Sequence, residues 1–347
     1  MFLVLALSPG LKAQIDTVFW FASPWVTPDH ADNKPMAFRI SSFGQLTTVR
    51  IQQPASTYDT TFTIAANSLF SKFLTHLHNA GRVETKPNNT VKNTGFKITS
   101  DFPITVVYDF LSSGNNPETY CLTGQNGMGT EFVTPFQNKW ASQVFTVGND
   151  NNNDGWDDSD RNHDGIVEQP YQQINIVATA PNTTVWITPK CPVKGGHPAG
   201  VTYSVTLNEG QTFTVENAAQ NTNTAGRSLS GTIVVSDKDI SITVSDDSVN
   251  PAPAGCYDLM GEQIVPTDVI GKEYIMNKGN VYRPTGTPSV NVRDYLFVVA
   301  TENFTTVTLN DGTTTTTILL NQGETYNQDM TQPLMHVIAD KNIYLIH

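Results

Sequence analysis

The chain has 347 residues, enough for two or three domains, and only 15% of them are charged. Its net charge of −12 argues against nucleic acid or an anionic membrane as a partner, because both require a basic face. The same charge favours a bound divalent cation. Frequent Thr, Asn, Ser, Gly and Val are typical of extracellular β proteins with many turns.

The chain begins with a short apolar run over residues 2–8, followed by Leu11, Lys12 and Ala13, where a small residue offers a cleavage position. We interpret residues 1–14 as the remnant of a signal peptide that lacks its basic start, with an apolar first strand as the alternative. No later stretch approaches the roughly 20 apolar residues of a transmembrane helix. The sequence therefore predicts a secreted or cell-surface protein.

One order of short segments occurs three times along the chain. An aromatic strand comes first, then a strand that starts with Thr-Thr-Val, then an Asp turn that leads into a strand. These segments are 16–21, 47–51 and 101–106, then 129–132, 183–187 and 237–242, then 271–274, 305–309 and 340–345. The step from the second segment to the third is 54 residues in the first two copies and 35 in the last. Repetition of this kind predicts tandem structural modules.

Period-2 alternation predicts most of the remaining elements as hairpins. The predicted hairpins join 95–99 to 104–108, 204–207 to 210–215, 232–235 to 240–244, and 314–320 to 323–326. One helix is expected over about residues 65–80, where five large apolar side chains between Leu69 and Leu77 lie near 3.6-residue spacing.

These elements predict an all-β chain of three tandem β-sandwich-like repeats, the third incomplete, with a calcium-loop insertion in the second. A propeller is the main competing architecture, but its blades are usually shorter than these units. The expected boundaries are 1–14 for the signal remnant, 15–120 for repeat 1, 121–258 for repeat 2 with an acidic insertion at 149–168, and 259–347 for a truncated repeat 3. A third repeat that ends this early indicates a fragment of a longer protein.

The acidic insertion contains two overlapping frames with the spacing of oxygen ligands in calcium loops. Each frame carries oxygen ligands at alternate positions and a glycine at position 6. The predicted ligands are Asp150, Asn152, Asp154, the Trp156 carbonyl and Asp158 in the first frame, and Asp160, Asn162, Asp164, the Ile166 carbonyl and Glu168 in the second. The sequence therefore predicts Ca2+ as a bound ion, with a solvated acidic loop as the alternative.

Both frames lack the Glu at position 12 of an EF-hand, and no flanking helices are evident. The overlapping half-loops resemble the calcium repeats of thrombospondin type 3 or dockerin-like segments. The step from Gly129 to Thr183 is 20 residues longer than the step from Gly271 to Thr305, about the length of the acidic run. We therefore interpret the run as an insertion between two strands, either a stabilising clip or a ligand platform.

No sequence motif of a known catalytic centre is present. Asp246, Asp247, Asp258 and Glu262 are candidates for the acid and base of a glycosidase, but they equally suit a polar connection between repeats. The segment 256–266 has the same two interpretations, a brace between modules or the rim of a ligand site. Three cysteines allow one internal bridge at most, for which Cys191 with Cys256 is one candidate pairing, left open here.

Several stretches together resemble the N-terminal domain of the IgGFc-binding-protein type, as carried by large bacterial surface proteins. They are 19–24, 38–41, 129–137, 236–240 and 258–266. The resemblance covers most of residues 16–347 and implies an exported protein with an adhesive or interaction role. Bacterial members of this kind often end in a gliding-motility or type IX secretion sorting domain. Immunoglobulin binding is not carried over from the name.

The sequence as a whole predicts a non-catalytic, calcium-stabilised adhesion module that binds an extracellular glycoprotein or polysaccharide. Weak contacts of single modules would add up across many copies on a cell. The alternatives are a secreted polysaccharide-active enzyme, or its accessory region, and a purely structural stalk. The five tryptophans are candidates for sugar stacking, although core positions are the simpler expectation for most of them.

Overall fold

The fold was analysed in a computed structural model of the chain. The residues that the structure describes are 14–27, 36–110, 117–142, 144, 147–150, 153, 155, 157, 160, 165, 169–249, 258–279 and 294–347. Within these residues the protein is all-β, with 21 strands, one five-residue helix and one short 3-10 helix. The predicted fold class is confirmed.

The first seven strands form repeat 1. Their bounds are Asp16–Phe21 (β1), Met36–Ser42 (β2), Thr47–Gln52 (β3), Asp59–Ile64 (β4), Leu69–Phe73 (β5), Phe96–Phe110 (β6) and Glu118–Cys121 (β7), with helix α1 at Thr75–Asn79. The hydrogen-bonded order is β4-β3-β6-β2-β5, and β1 and β7 also pair with β6. The 15-residue strand β6 is therefore the centre of the repeat, because it pairs with four other strands: β1, β2, β3 and β7.

Repeat 2 has the same topology. A 3-10 helix at Gly124–Gly127 precedes it, and its strands are Met128–Val133 (β8), Gln172–Ala178 (β9), Thr183–Thr188 (β10), Tyr203–Leu207 (β11), Thr212–Glu216 (β12), Ile233–Val249 (β13) and Asp258–Ile264 (β14). Its order is β11-β10-β13-β9-β12, with β8 and β14 on β13. Every strand of repeat 1 thus has a counterpart here.

Repeat 3 separates into two sheets. Its strands are Glu273–Asn277 (β15), Tyr295–Ala300 (β16), Thr305–Asn310 (β17), Thr315–Leu320 (β18), Thr325–Asp329 (β19), Leu334–Ala339 (β20) and Ile343–Ile346 (β21). The two sheets are β15-β20-β17-β18 and β19-β16-β21. The long strand of the other repeats is split here into β20 and β21. Among the described residues, repeat 3 has no counterpart of β7 and β14.

The three Thr-Thr-Val strands confirm the repetition at the level of single hydrogen bonds. The second Thr of each strand donates its backbone N–H to the carboxylate of an Asp at a turn. This Asp lies within the long strand in repeats 1 and 2 and between β20 and β21 in repeat 3. The pairs are Thr48 with Asp101 at 2.7 Å, Thr184 with Asp237 at 2.8 Å, and Thr306 with Asp340 at 2.8 Å. The first Thr and the following Val are buried in every copy. The short sequence signal therefore encodes the same local structure three times.

Each repeat has an apolar core of its own. The core of repeat 1 is aromatic, with Phe21, Phe38 and Tyr108 in mutual ring contact, and those of repeats 2 and 3 are mainly aliphatic. Burial of such side chains removes apolar surface from water and supplies most of the favourable free energy of folding. The Leu259 side chain from β14 joins the core of repeat 1, so the two repeats share apolar packing.

All four predicted hairpins are wrong. β11 pairs with β10 and β12 pairs with β9, so β11 and β12 lie at opposite ends of the strand order and do not pair with each other. β18 and β19 do not pair either, because they lie in separate sheets. The other two predicted hairpins are the continuous strands β6 and β13, whose pairing shifts register at the expected turn. Alternation identifies a strand but not its partner.

The predicted helix over residues 65–80 is also wrong. The segment contains strand β5, which pairs with β2, and only α1 is helical. Leu69 and Phe73 are exposed, and the Phe70 ring stacks on Phe62 at 4.5 Å between centroids. Backbone pairing at the edge of the sheet outweighs the helical spacing of these side chains, because tertiary context overrides a local pattern.

Candidate functional site

The acidic segment contains two turns of the same construction, ten residues apart. The Gly155 N–H donates to Asp150 Oδ2 at 2.9 Å, and the Gly165 N–H donates to Asp160 Oδ2 at 2.7 Å. Both glycines have positive φ, at 90° and 85°, a region that other residues rarely adopt. In calcium loops a glycine at position 6 makes the same sharp turn after a carboxylate at position 1.

The two turns are tied to each other by a residue that the sequence did not single out. Asp157 Oδ2 accepts a hydrogen bond from the Gly148 N–H at 2.6 Å, and the Asp157 carbonyl accepts one from the Asp160 N–H at 2.8 Å. Asp160 is buried although it is an acidic residue. A buried carboxylate in an acidic neighbourhood favours compensation by a cation. Asp157 lies inside the first frame, next to the predicted ligand Asp158, and its carboxylate is the signal that could have identified it.

Two of the ten predicted calcium ligands, Asp150 and Asp160, lie at equivalent positions of the two turns. The other eight lie outside the described residues: Asn152, Asp154, Trp156, Asp158, Asn162, Asp164, Ile166 and Glu168. In the part of the chain that the structure describes, no three His, Cys, Asp or Glu side chains are grouped as a metal site. The calcium site therefore stays a prediction.

The N-terminal flank of the acidic segment lies against repeat 3. Asn138 Oδ1 accepts a hydrogen bond from Asn327 Nδ2 at 3.0 Å, and Asn138 Nδ2 donates one to the Thr325 hydroxyl at 3.2 Å. The Trp140 ring contacts Tyr295 and Phe297, with centroids 5.6 and 5.4 Å apart. The C-terminal flank leads directly into the buried strand β9. The described residues just before the acidic segment thus contact repeat 3.

The candidate carboxylates Asp246 and Asp247 are both buried at the end of β13. Asp246 Oδ2 accepts a hydrogen bond from Gln172 Nε2 at 2.7 Å. Asp247 Oδ2 accepts one from the Thr27 N–H at 2.7 Å and another from the Thr27 hydroxyl. Burial raises the pKa of Asp246 to about 7 and that of Asp247 to about 6.

These two carboxylates do not form a matched acid and base facing one substrate. Asp247 is held by Thr27 of repeat 1 and braces the two repeats. Asp246 instead borders a cavity that Glu262 also lines, whereas Asp258 is not among the lining residues. The interpretation of Asp247 as part of a polar connection between repeats is therefore supported.

The segment around β14 is a brace, as one interpretation of the sequence predicted. Gln263 Nε2 donates to the Trp20 carbonyl at 2.6 Å, and Gln263 Oε1 accepts from the Thr123 N–H at 2.7 Å. On the other side, the Tyr344 hydroxyl donates to the Val265 carbonyl. One short segment thus joins all three repeats, and part of it also lines the cavity.

The tryptophans are mostly core residues. Trp20 and Trp25 are buried, Trp140 is half-buried, and Trp156 lies outside the described residues. Trp186 on β10 is 40% exposed, so among the described tryptophans it presents the largest open ring. An exposed indole beside polar strand residues is suited to stacking on a sugar ring.

Cys121 and Cys191 are free thiols. Cys256, the other half of the candidate bridge, lies outside the described residues. Burial raises the pKa of the Cys191 thiol to about 12. A thiol held protonated in this way is unreactive.

Within the described part of the chain, no helix has the length and hydropathy that a membrane crossing requires.

The chain was compared with known proteins. A family model described as IgGFc binding protein matches residues 127–347, which is more than half of the chain. No curated protein matches. One similar solved structure is described by the words "Ca2+-stabilized adhesin helps an Antarctic bacterium reach out and bind ice"; it is 14% identical over 96% of this chain and 73% of that one. Its TM-score is 0.14, too low to support any argument.

Proposed function

The chain belongs to the IgGFc binding protein family, and from this premise we propose that it is a non-catalytic recognition module on the outside of a bacterial cell. The family is described by binding, and the sequence contains no motif of a catalytic centre. Three copies of one sandwich offer repeated surfaces for contact with a large partner. An extracellular glycoprotein or polysaccharide is the partner class that we propose.

We propose that calcium holds the acidic segment in place. Asp150 and Asp160 would bind the ion from equivalent turns, together with the other predicted oxygen ligands of residues 152–168. A bound divalent cation supplies positive charge that offsets the crowded carboxylates and fixes the backbone of the loop. The observation that carries this proposal is the pair of matching Asp-to-Gly hydrogen bonds.

The calcium proposal is tested by thermal unfolding in Ca2+ and in EDTA. We expect the wild type to melt several degrees higher in Ca2+, because an ion that binds only the folded state stabilises it by mass action. The double variant Asp150→Asn with Asp160→Asn should lose this difference. Asp239→Asn, which changes an exposed aspartate of repeat 2 outside the loop, serves as the matched control. A wild type with equal melting temperatures in both buffers refutes the proposal.

The recognition proposal is tested by a binding screen of residues 15–347 against mucins, immunoglobulin and insoluble polysaccharides, in Ca2+ and in EDTA. Retention on one class of partner supports a recognition module. Loss of that retention in EDTA shows that the acidic segment supports binding. Absence of retention under both conditions contradicts the proposal and favours a structural stalk. The variant Trp186→Ala then tests whether the exposed indole contributes to a polysaccharide contact.

A further inference from the structure

A cavity of about 780 Å³ lies where the three repeats meet. Its walls come from β7 of repeat 1, from β13 and β14 of repeat 2, and from the start of β15 and the end of β21 in repeat 3. This volume lies within the range of pockets that hold small ligands. No described residue of the acidic segment lines the cavity.

Three carboxylates from three different strands line this cavity: Glu118 on β7, Asp246 on β13 and Glu262 on β14. Asp246 is only 2% exposed, and its Oδ1 has no hydrogen-bond partner among the described residues. A buried carboxylate oxygen without a donor is costly and invites a ligand that supplies one. Glu262 is open to solvent and accessible to a ligand.

The pairing of β13 with β14 places two of these carboxylates on one face. Val244 is opposite Glu262, and Asp246 is opposite Met260, so all four side chains project to the same side of the sheet. Although the side chain as a whole is exposed, desolvation of its carboxylate raises the pKa of Glu262 to about 7, and the nearby Glu118 contributes in the same direction. Negative charge in this cavity is therefore poorly compensated by the protein itself.

The rest of the wall is mainly apolar and aromatic, with Phe136, Ile264, Tyr274 and Tyr344 as its larger members. The described lining residues include no lysine or arginine. His347, which also lines the cavity, lies 2.8 Å from Asp294. A ligand for this site therefore needs a positive charge for the carboxylates and an apolar body for the walls.

We infer that this cavity binds the side chain of a lysine presented by a partner protein. The ammonium group would donate to the free Oδ1 of Asp246 and to Glu262, and its four-carbon stem would lie against the apolar wall. An ammonium has three rotatable donors that suit carboxylates from separate strands, whereas the planar fork of arginine suits a single carboxylate. A metal ion fits less well, because no three of the described acidic side chains are grouped closely enough to hold one.

This inference takes from the proposed recognition role only that the partner is a protein, and it needs no calcium. It is tested by NMR titration of residues 15–347 in EDTA with the peptide acetyl-Gly-Lys-Gly-amide. The control peptide carries norleucine, which keeps the stem and lacks the charge. We expect saturable shifts with the lysine peptide and at least tenfold weaker binding of the norleucine peptide, because norleucine has no charged donor for the carboxylates.

Two variants locate the site. Glu262→Gln changes an exposed side chain and should lower the affinity for the lysine peptide about fivefold with the fold intact. Asp246→Asn should lower this affinity about tenfold or more. Glu209→Gln, which removes the same charge from repeat 2 outside the cavity, should leave the affinity unchanged.

Three outcomes would overturn the inference. The first is the absence of saturable binding of the lysine peptide by the wild type, and the second is equal binding of the norleucine peptide. The third is unchanged affinity of the lysine peptide in both cavity variants. Calcium-dependent retention of a large partner in the screen described above would survive any of these results, so failure of the two proposals can be told apart.

Discussion

The two junctions between the repeats differ in how they are made. Repeats 1 and 2 are joined through buried polar groups. The Gln173 amide accepts a hydrogen bond from the Trp25 N–H and donates one to the Trp25 carbonyl, and Asp247 accepts one from the Thr27 N–H. Repeats 2 and 3 meet through the Trp140 ring on Tyr295 and Phe297 and through a close approach of backbones at Gly231 and Gly323. The equivalent approach of Gly95 to Gly210 occurs between repeats 1 and 2, so the two junctions share the glycine contact and differ in their side chains.

The comparison shows that duplication of this fold keeps the glycine contact between neighbouring repeats and changes the side chains around it. The buried polar junction requires that each donor meet its acceptor, because an unpaired buried group is costly. The glycine contact requires only that no Cβ be present.

The largest effect is expected at the junction of repeats 2 and 3. A Cβ added to Gly231, which has a φ of 89°, would overlap the carbonyl of Gly323. We expect Gly231→Ala to lower the free energy of unfolding by about 3 kcal/mol, from backbone strain and displacement of repeat 3. Urea denaturation measures this change.

A matched control for that variant exists in the same repeat. Gly226 has a φ of 76°, but a Cβ there meets no atom within 4 Å. Gly226→Ala should therefore cost only the strain of a positive φ, about 1 kcal/mol. Equal losses in the two variants would show that the close approach does not hold repeats 2 and 3 together.

The junction of repeats 1 and 2 should respond to pH. The pKa of Asp247 is about 6 in the folded protein, above its ordinary value of 3.8, so the folded state binds this proton more tightly than the unfolded chain. The resulting stabilisation is complete below about pH 4 and is lost as the pH rises through 6. Between pH 4 and pH 8 the free energy of unfolding of the wild type should therefore fall by about 2 kcal/mol more than that of Asp247→Asn, which cannot ionise.

Chemical denaturation at both pH values measures that difference. Asp268 is exposed, and Asp268→Asn is the control variant. Its free energy of unfolding should differ little from that of the wild type at either pH. A wild-type minus Asp247→Asn difference that is the same at pH 4 and pH 8 would contradict the buried, protonated carboxyl.

The smallest effects are expected within the repeats. Asp101→Ala, Asp237→Ala and Asp340→Ala each remove the acceptor of one equivalent backbone N–H, and each should cost about 1 kcal/mol. The corresponding Asn variants keep an acceptor oxygen and should retain most of the stability. A loss confined to one of the three repeats would show that the turns are not energetically equivalent.

The sequence predicted features that depend on short, local signals. The Thr-Thr-Val strands and their Asp turns are confirmed in all three repeats, because each needs only a few neighbouring residues. The pairing of β11 with β10 could not be predicted, because alternating residues suit any partner strand equally well. The helix over residues 65–80 failed for a related reason, since the pairing of β5 with β2 is set by the tertiary fold.

The candidate sites were predictable to a different extent. The frames that start at Asp150 and Asp160 could be read from spacing, because calcium loops are contiguous in sequence. The cavity could not, because Glu118 and Asp246 are 128 residues apart and only the packing of three repeats brings them to one wall. Asp246 and Glu262 were candidates from the sequence, but as an acid and base and without the third carboxylate.

The connection between the first and second strands has a consequence for how such proteins diversify. It contains 14 residues in repeat 1 (22–35), 38 in repeat 2 (134–171) and 17 in repeat 3 (278–294), while the strands on either side keep their pairing. A gene can therefore lengthen this connection in one module without disturbing the other two. Relatives that bind different partners should therefore differ first in the length and sequence of this connection, because a new loop there leaves the strands of the other repeats unchanged.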